Sequence, residues 1–492
     1  MQVQSMHFKA RSGEALADAT LQANLRKFQS TGFTALRAKA VAEFGPQLFE
    51  ALRGEGAAIR DRSLASLDAW LERFEAEAVR RGATVLFAET RAEACELLVE
   101  ICRRHGVRKA IKSKSMLSEE AGVNEALAAN GVTPIETDLG EYILQLAGEP
   151  PSHIIAPALH KSKEDVADLF EAHHHAPRKD DIPRMTREAR EMLREHFLSA
   201  DLGISGGNFL IAETGSGVIV TNEGNGRMVT TLPRVHVCIT GIEKVLPTLE
   251  DFSTLLRLLT RSATGQAISN YVSLFTGPRG RQDRDGPEHM VFILVDAGRT
   301  NLVGGDMQEM LRCIRCGACM NHCPVYRAVG GHSYGWVYPG PMGSVLTPSY
   351  VGLANALDLP HAATLCGACS VACPVKIPLP ELLRKLREKQ VDRGLRPWRE
   401  VAALRLWAWT AQRPRLYALA TAIAVRFLRF LGGRDGMIGM LPFGGEWTRG
   451  RFFPAPKSGR TFRSLYAARN RGQTPVSLLS HNQPALRKRN QR

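Results

Sequence analysis

The sequence predicts a multidomain α/β plus α protein, an α/β domain followed by a helical, cysteine-rich domain. Three observations predict it. From about residue 83 to 300, short apolar strands alternate with helix-spaced segments, the pattern of a largely parallel sheet. Seven of the ten cysteines fall in two short runs beyond residue 310. At 492 residues the chain is too long for one ordinary core, while 44% hydrophobic and 23% charged residues make a soluble globular composition. The expected divisions are 1–80, 81–303, 304–395 and 396–492.

Residues 1–80 read as helical. Leu21, Leu25 and Phe28 recur at helix spacing, as do Leu67, Trp70, Leu71 and Phe74. Strands are expected at 84–88, 109–112, 133–137, 153–156, 209–213, 217–221, 235–240 and 291–296. Helices fit 91–105, 118–130 and 163–173. Pro177 to Thr186 reads as a polar connector. His173, His174 and His175 precede it as a solvated helix end, since three adjacent histidines cannot face one metal from a helix. Residues 397–431 look helical around Trp407, Trp409, Tyr417 and Phe427, with a break at Pro414. Beyond 432, glycine, proline and arginine predict a loosely ordered end.

The net charge is +15, and from Arg449 onward there is no acidic residue. A solvated basic tail is the simplest expectation. Nucleic acid, anionic lipid or an acidic partner are the alternatives, but no nucleic-acid module is visible, so no nucleic acid is expected. The first residues lack the basic-then-apolar layout of a secretion signal. Arg426 and Arg429 interrupt the most apolar stretch, Leu416 to Leu431, so no spanning helix is expected. Ten largely clustered thiols suit a reducing compartment. The expected location is cytoplasmic, with peripheral contact at the inner membrane face open to the Trp-, Leu- and Arg-bearing segment 401–431.

The first run reads Cys313-Ile-Arg-Cys316-Gly-Ala-Cys319-Met-Asn-His-Cys323-Pro324; the second reads Leu365-Cys366-Gly-Ala-Cys369-Ser-Val-Ala-Cys373-Pro374. This is the bacterial ferredoxin spacing, in which three close thiolates hold one cubane cluster and the fourth, before proline, reaches the other. Each iron already binds three sulfides and takes one soft external ligand. On that logic Cys313, Cys316, Cys319 and Cys373 hold cluster 1, a 4Fe-4S centre. Cys323, Cys366 and Cys369 hold cluster 2 with only three thiolates, because residue 363 is alanine. Cluster 2 is then a 4Fe-4S centre with an open site or a 3Fe-4S centre. A lone Cys-x-x-Cys pair would suit zinc; two ferredoxin registers, both ending Cys-Pro-Val, favour iron. Cys95, Cys102 and Cys238 read as small buried hydrophobes.

Loops at strand ends are where α/β sheets place ligands. Lys112 and Lys114, in Lys-Ser-Lys-Ser-Met, follow a strand and open a helix; they suit an anion, or else a turn capped by Ser118. Glu213 and Thr214, with Asn222 and Asn225, sit in two glycine-rich turns that read either as hairpins or as a pocket rim. Glu136-Thr-Asp-Leu-Gly-Glu141 reads as a helix cap or a partner-binding acidic loop.

Together these residues resemble the lactate-utilisation protein B family. The resemblance rests on Lys112–Met116, Glu136–Ile143, Pro151–Ile154, Ala212–Gly215 with Thr221–Asn225, both cysteine runs, and Gly330–Tyr334 with Pro339–Pro341. It implies an LUD α/β domain, related to sugar-phosphate isomerases and CoA-transferases, before a ferredoxin-type cluster domain. It implies an electron carrier in the oxidation of L-lactate to pyruvate, beside a cysteine-rich iron–sulfur subunit and a smaller LUD subunit. It also implies the same two cysteine sets. Two other activities stay open: a carboxylate or CoA-type reaction in the LUD pocket with regulatory clusters, and catalysis at the open iron of cluster 2. Redox sensing by a basic nucleic-acid binder is a further, weaker option. Arg312, Arg315 and Arg327 are expected to lie near cluster 1 and raise its potential, unless they are ordinary solvated arginines. His361 is the nearest candidate base to the open site. The 42 residues between Cys323 and Cys366 are expected to shield the clusters and dock a partner.

Overall fold

The computed structural model describes residues 3–30, 32–441, 444, 448, 451–456 and 458–471. The far basic tail and Arg449 lie outside the described residues. Two compact units make up the chain, Met1–Leu395 and Arg396–Arg492.

The first unit is built on β1 (Thr84–Ala88), β2 (Lys109–Lys112), β3 (Thr133–Glu136), β4 (Leu202–Ser205), β5 (Phe209–Ile211), β6 (Ser216–Thr221), β7 (Val235–Gly241), β8 (Val245–Leu246), β9 (Tyr271–Phe275) and β10 (His289–Val295). Six of these form a sheet in the order β1-β10-β7-β4-β2-β3, every neighbouring pair parallel. Every residue of β4 and β7 is buried, as in a sheet covered on both faces. A smaller sheet, β8-β5-β6-β9, is antiparallel about β6. The α/β class thus follows from the sequence pattern, and the cysteine-rich segment after it is helical.

Several elements differ from expectation, each for a local reason. Residues 153–156 turn instead of extending, because the His153 Nδ1 accepts the N–H groups of Ile155 and Ala156, both at 3.0 Å. The connector at 177–186 is half helix. Asp181 caps Ile182–Ser199 by accepting from the Arg184 N–H at 3.2 Å, and Pro183 suits the first turn. Gly122, at φ +78°, splits the 118–130 helix into Met116–Ala121 and Val123–Ala129. Its cap is the Ser115 hydroxyl, not Ser118. His174 is not solvated: it bridges the Tyr142 hydroxyl at 2.8 Å and Glu188 at 3.0 Å. β4 escaped notice because Leu-Gly-Ile-Ser offers little β signal.

Gly203 on β4 is tied to its neighbour. A Cβ there would lie 1.9 Å from the Val229 carbonyl oxygen, in helix Asn225–Thr231. Backbone cannot swing aside as a side chain can. Gly203→Ala should therefore destabilise the unit by about 1–3 kcal/mol, read as a lower thermal midpoint with iron content unchanged.

The N-terminal helices clamp later parts of the first unit. Arg60, on Pro46–Ala65, is 1% exposed and donates to the carbonyls of Glu243, Val245 and Leu311. Arg53 donates to the carbonyls of Ser370 and Cys373, and Arg37 to that of Ala372. The second cysteine run is thus held by carbonyl contacts from a distant part of the chain. In the second unit, helices Trp398–Ala411 and Pro414–Leu431 precede a short antiparallel pair, Met437–Ile438 with Phe453–Pro454, and helix Phe462–Asn470. No described helix is long and apolar enough to cross a membrane.

Candidate functional site

The two cysteine runs repeat a backbone as well as a spacing. The residue before Cys316 and the residue before Cys366 are both left-handed, Arg315 at φ +59° and Leu365 at φ +55°. Gly317 (φ +72°) and Gly367 (φ +84°) then open short helices, Ala318–Asn321 and Ala368–Ala372. In this repeat Ala363 corresponds to Cys313.

Cys313, Cys316, Cys319 and Cys373 line one cavity, with Met310, Ile314, Met342 and Val375 among its apolar walls. Among the described residues, no three His, Cys, Asp or Glu side chains are set to hold a single metal ion. Burial, and then the charges of Cys313, Cys316 and Cys373, push the Cys319 thiol up. Backbone N–H groups point at the sulfurs, Ile377 at 3.3 Å from the Cys373 Sγ. Cys369 in turn feels Cys323 and Cys366, and also acts on Cys319, so the two thiol groups are neighbours. Soft ligands, apolar walls and N–H donors to sulfur fit iron–sulfur clusters. Cys313 and Cys319 are half-buried. Cys316, Cys323, Cys369 and Cys373 are buried, whereas Thr364, Leu365 and Cys366 are exposed. Near Ala363, its carbonyl accepts from Arg387 at 3.0 Å, and the His361 Nε2 bonds Gln390 at 2.9 Å.

The aromatic stretch between the runs is core, not a docking surface. Tyr334, Trp336 and Tyr338 are at most 3% exposed. The Tyr338 hydroxyl donates to Glu120 at 2.6 Å, and Arg91 stacks over Trp336. Of the arginines near the first run, Arg312 pairs with Asp61 at 2.6 and 2.9 Å. Arg315 is drawn inward, its guanidinium over the Tyr338 ring and 3.6 Å from Glu243.

A second, larger cavity of about 440 Å³ opens at the C-terminal ends of the parallel strands. The turns after β2 (Ser113–Leu117), β4 (Gly206–Asn208) and β7 (Glu243, Lys244) line it, with β6 across from them. Arg299 after β10, and Arg315 and Tyr338 from the cysteine-rich segment, close its inner end. Of the six sequence-selected pocket residues, Lys114, Asn222 and Asn225 line this cavity. Lys114 also donates to the Ile155 carbonyl at 3.0 Å. The other three are placed elsewhere. Lys112 is 1% exposed and pairs with Glu119 at 2.6 Å and Glu136 at 2.7 Å. Burial opposes its charge, but Glu119, Glu136 and Glu141 outweigh that and hold its ammonium above the usual range. Glu213 accepts from the Leu249 N–H at the start of a helix, and Thr214 donates to Ser216.

The inner end holds charges that sequence reasoning passed over. Arg299 binds Glu120 at 2.8 Å and Glu243 at 2.9 Å. Burial alone would raise Glu243, but Arg299, Lys244 and Arg315 bring its carboxyl down to about 2. Burial, with Arg315 adding to it, lowers the Lys244 ammonium to about 7. One signal was available: Glu243-Lys244 directly follows the apolar strand β7, at the sheet edge where ligands bind.

Known proteins bear on both cavities. Residues 71–295 match the LUD domain family, residues 309–377 the 4Fe-4S dicluster domain, and residues 383–471 the C-terminal domain of lactate utilisation protein B. Lactate utilization protein B of Bacillus licheniformis is 42% identical over 96% of this chain and 98% of its own length. That of Geobacillus kaustophilus is 42% identical over 96% and 99%. That of Shouchella clausii is 46% identical over 84% and 87%.

Proposed function

The chain belongs to the lactate utilization protein B family, and we propose that within it the protein is the electron-transfer subunit of a complex oxidising L-lactate to pyruvate. It is an iron–sulfur protein of lactate utilisation; the relay is our reading. In it, Cys313, Cys316, Cys319 and Cys373 hold a 4Fe-4S cluster, and Cys323, Cys366 and Cys369 hold a second, either 4Fe-4S with an open position or 3Fe-4S. When bound, the two clusters would pass electrons singly in series.

One observation carries this reading. The two neighbouring thiol groups differ in reach: the first lines a cavity and has no exposed member, while the second ends at Cys366, the one exposed thiol of the seven. A wire needs an inner end and an outer end. Electrons would enter on the Arg315 side, which faces the large cavity, and leave past Thr364, Leu365 and Cys366. The partners we propose for the complex are a cysteine-rich iron–sulfur subunit and a smaller LUD subunit; whichever accepts the electrons docks at the Cys366 face. The arginines holding the carbonyls of the second run would keep the ligands still during transfer, which favours speed.

The test is an anaerobic redox titration followed by electron paramagnetic resonance, with iron counted on the same sample. Two separately reducible clusters are expected. An oxidised three-iron signal, or none, decides the second cluster's nuclearity. Zinc in place of iron would sink the reading.

A further inference from the structure

The geometry points to the large cavity as a binding site for a small organic monocarboxylate, its carboxylate seated on Lys244. Lys244 is 8% exposed and lines the inner end of the cavity. Among the described residues its ammonium has no hydrogen bond and no carboxylate within 4 Å, though it feels the charge of Glu243. Its charged neighbours are otherwise committed: Arg299 is matched by Glu120 and Glu243, and Arg315 faces Glu243. Glu243 is its nearest counter-charge and is shared with Arg299 and Arg315, and a buried cation left with only a shared counter-charge gains when an anion joins it.

The walls say which anion. Ile239 and Leu259 offer apolar surface for a hydrocarbon body, while Asp138, Glu223 and Glu243 put negative charge on the same lining. Carboxylates on the lining repel a dianion such as phosphate more than a monoanion. The volume, about 440 Å³, exceeds what a three-carbon acid fills, so longer acids should enter as well. Arg315 lies between Cys313 and Cys316 in sequence and lines this cavity, while those two cysteines line the other. A bound acid is therefore separated from the inner thiol group by the Arg315 loop. The choice of 2-hydroxy and 2-oxo acids rests on the electron-transfer reading above; the monocarboxylate site itself does not.

Calorimetric titration of the cluster-loaded full chain with L-lactate, pyruvate, 2-hydroxyoctanoate and inorganic phosphate tests this. The carboxylates should bind and compete with one another, and phosphate should be weaker. Lys244→Met should weaken carboxylate binding about tenfold or more, the usual effect of losing a charged hydrogen-bond partner. Lys109→Met, whose lysine bonds Ser199, should leave binding unchanged. A second measurement needs no variant: with the inner cluster reduced and paramagnetic, the carbon-13 carboxyl signal of labelled acid should relax faster. If Lys244→Met shifts only a cluster potential while carboxylates bind as before, the lysine is a counter-charge and the proposal fails. Tighter binding of phosphate, or no relaxation effect, also overturns it. Failure here with both clusters present and reducible leaves the relay standing; absent iron with carboxylate binding intact does the reverse.

Discussion

Changing Cys373 to serine should remove the inner cluster while leaving a folded α/β sheet, with iron falling by roughly half of a two-cluster complement. Cys373 belongs to the second run in sequence but lines the cavity of the first. In the proposed assignment it is the ligand that crosses between them. Its carbonyl accepts from the Arg53 Nε at 2.9 Å, and its Sγ accepts the Ile377 N–H at 3.3 Å. Serine keeps the backbone contacts but offers a harder, poorly ionised oxygen to iron. Because cluster binding adds to folding free energy, the thermal midpoint should also drop. Cys366→Ser supplies the contrast. That thiol is exposed and belongs to the outer group, so the inner cluster's resonance signal should survive while transfer to an added acceptor slows. Cys238→Ser, on buried β7, should change neither. Iron assay and low-temperature resonance on the three variants check this. Loss of the inner signal in Cys366→Ser, with Cys373→Ser normal, would reverse the assignment.

The same residues show how far the sequence could be read. The two ferredoxin registers are local patterns, so spacing alone grouped Cys373 with Cys313, and the structure sets both at one cavity. The strands β7 and β10 were legible because runs rich in Val, Ile and Leu mark a doubly covered parallel sheet. The pocket was legible only in part. Lys114, Asn222 and Asn225 are loop residues beside the ligand-binding edge. Lys112, two residues before Lys114, ends its strand buried, its ammonium taken up by Glu119 and Glu136. Glu213 and Thr214 sit in the turn after β5, away from the cavity-lining end of β6. Lys244, Glu243 and Arg299 were invisible as a set, since only the sheet order brings residues after β7 and β10 together. The aromatic stretch at 334–338 misled for a simpler reason. Its composition suits an interface, and it is one, but internal: it joins the cysteine-rich segment to the α/β sheet.

That internal interface supports the other large expectation. Arg299→Leu should destabilise the first unit by about 3–5 kcal/mol. The guanidinium is 1% exposed and binds Glu120 bidentately, at 3.3 and 2.8 Å, while its Nε lies 2.9 Å from Glu243. Leucine fills space but strands two carboxylates away from water. Glu120 would keep the Tyr338 hydroxyl, and Glu243 only the charges of Lys244 and the more distant Arg315. Since Tyr338 and Arg315 come from the cysteine-rich segment, the loss should also uncouple that segment, so urea unfolding should separate into two transitions. The pH dependence has a definite sign. Glu243 titrates at about 2 in the fold, below its ordinary 4.5. Its share of the stability is therefore complete above pH 4.5 and is lost as pH falls through 2. Glu243→Gln should remove that acid-sensitive part, flattening stability between those values while lowering it at neutral pH. Denaturation curves at several pH values compare the two variants directly. An Arg299→Leu protein as stable as the parent, with one sharp transition, would mean that apolar packing alone joins the sheet to the clusters.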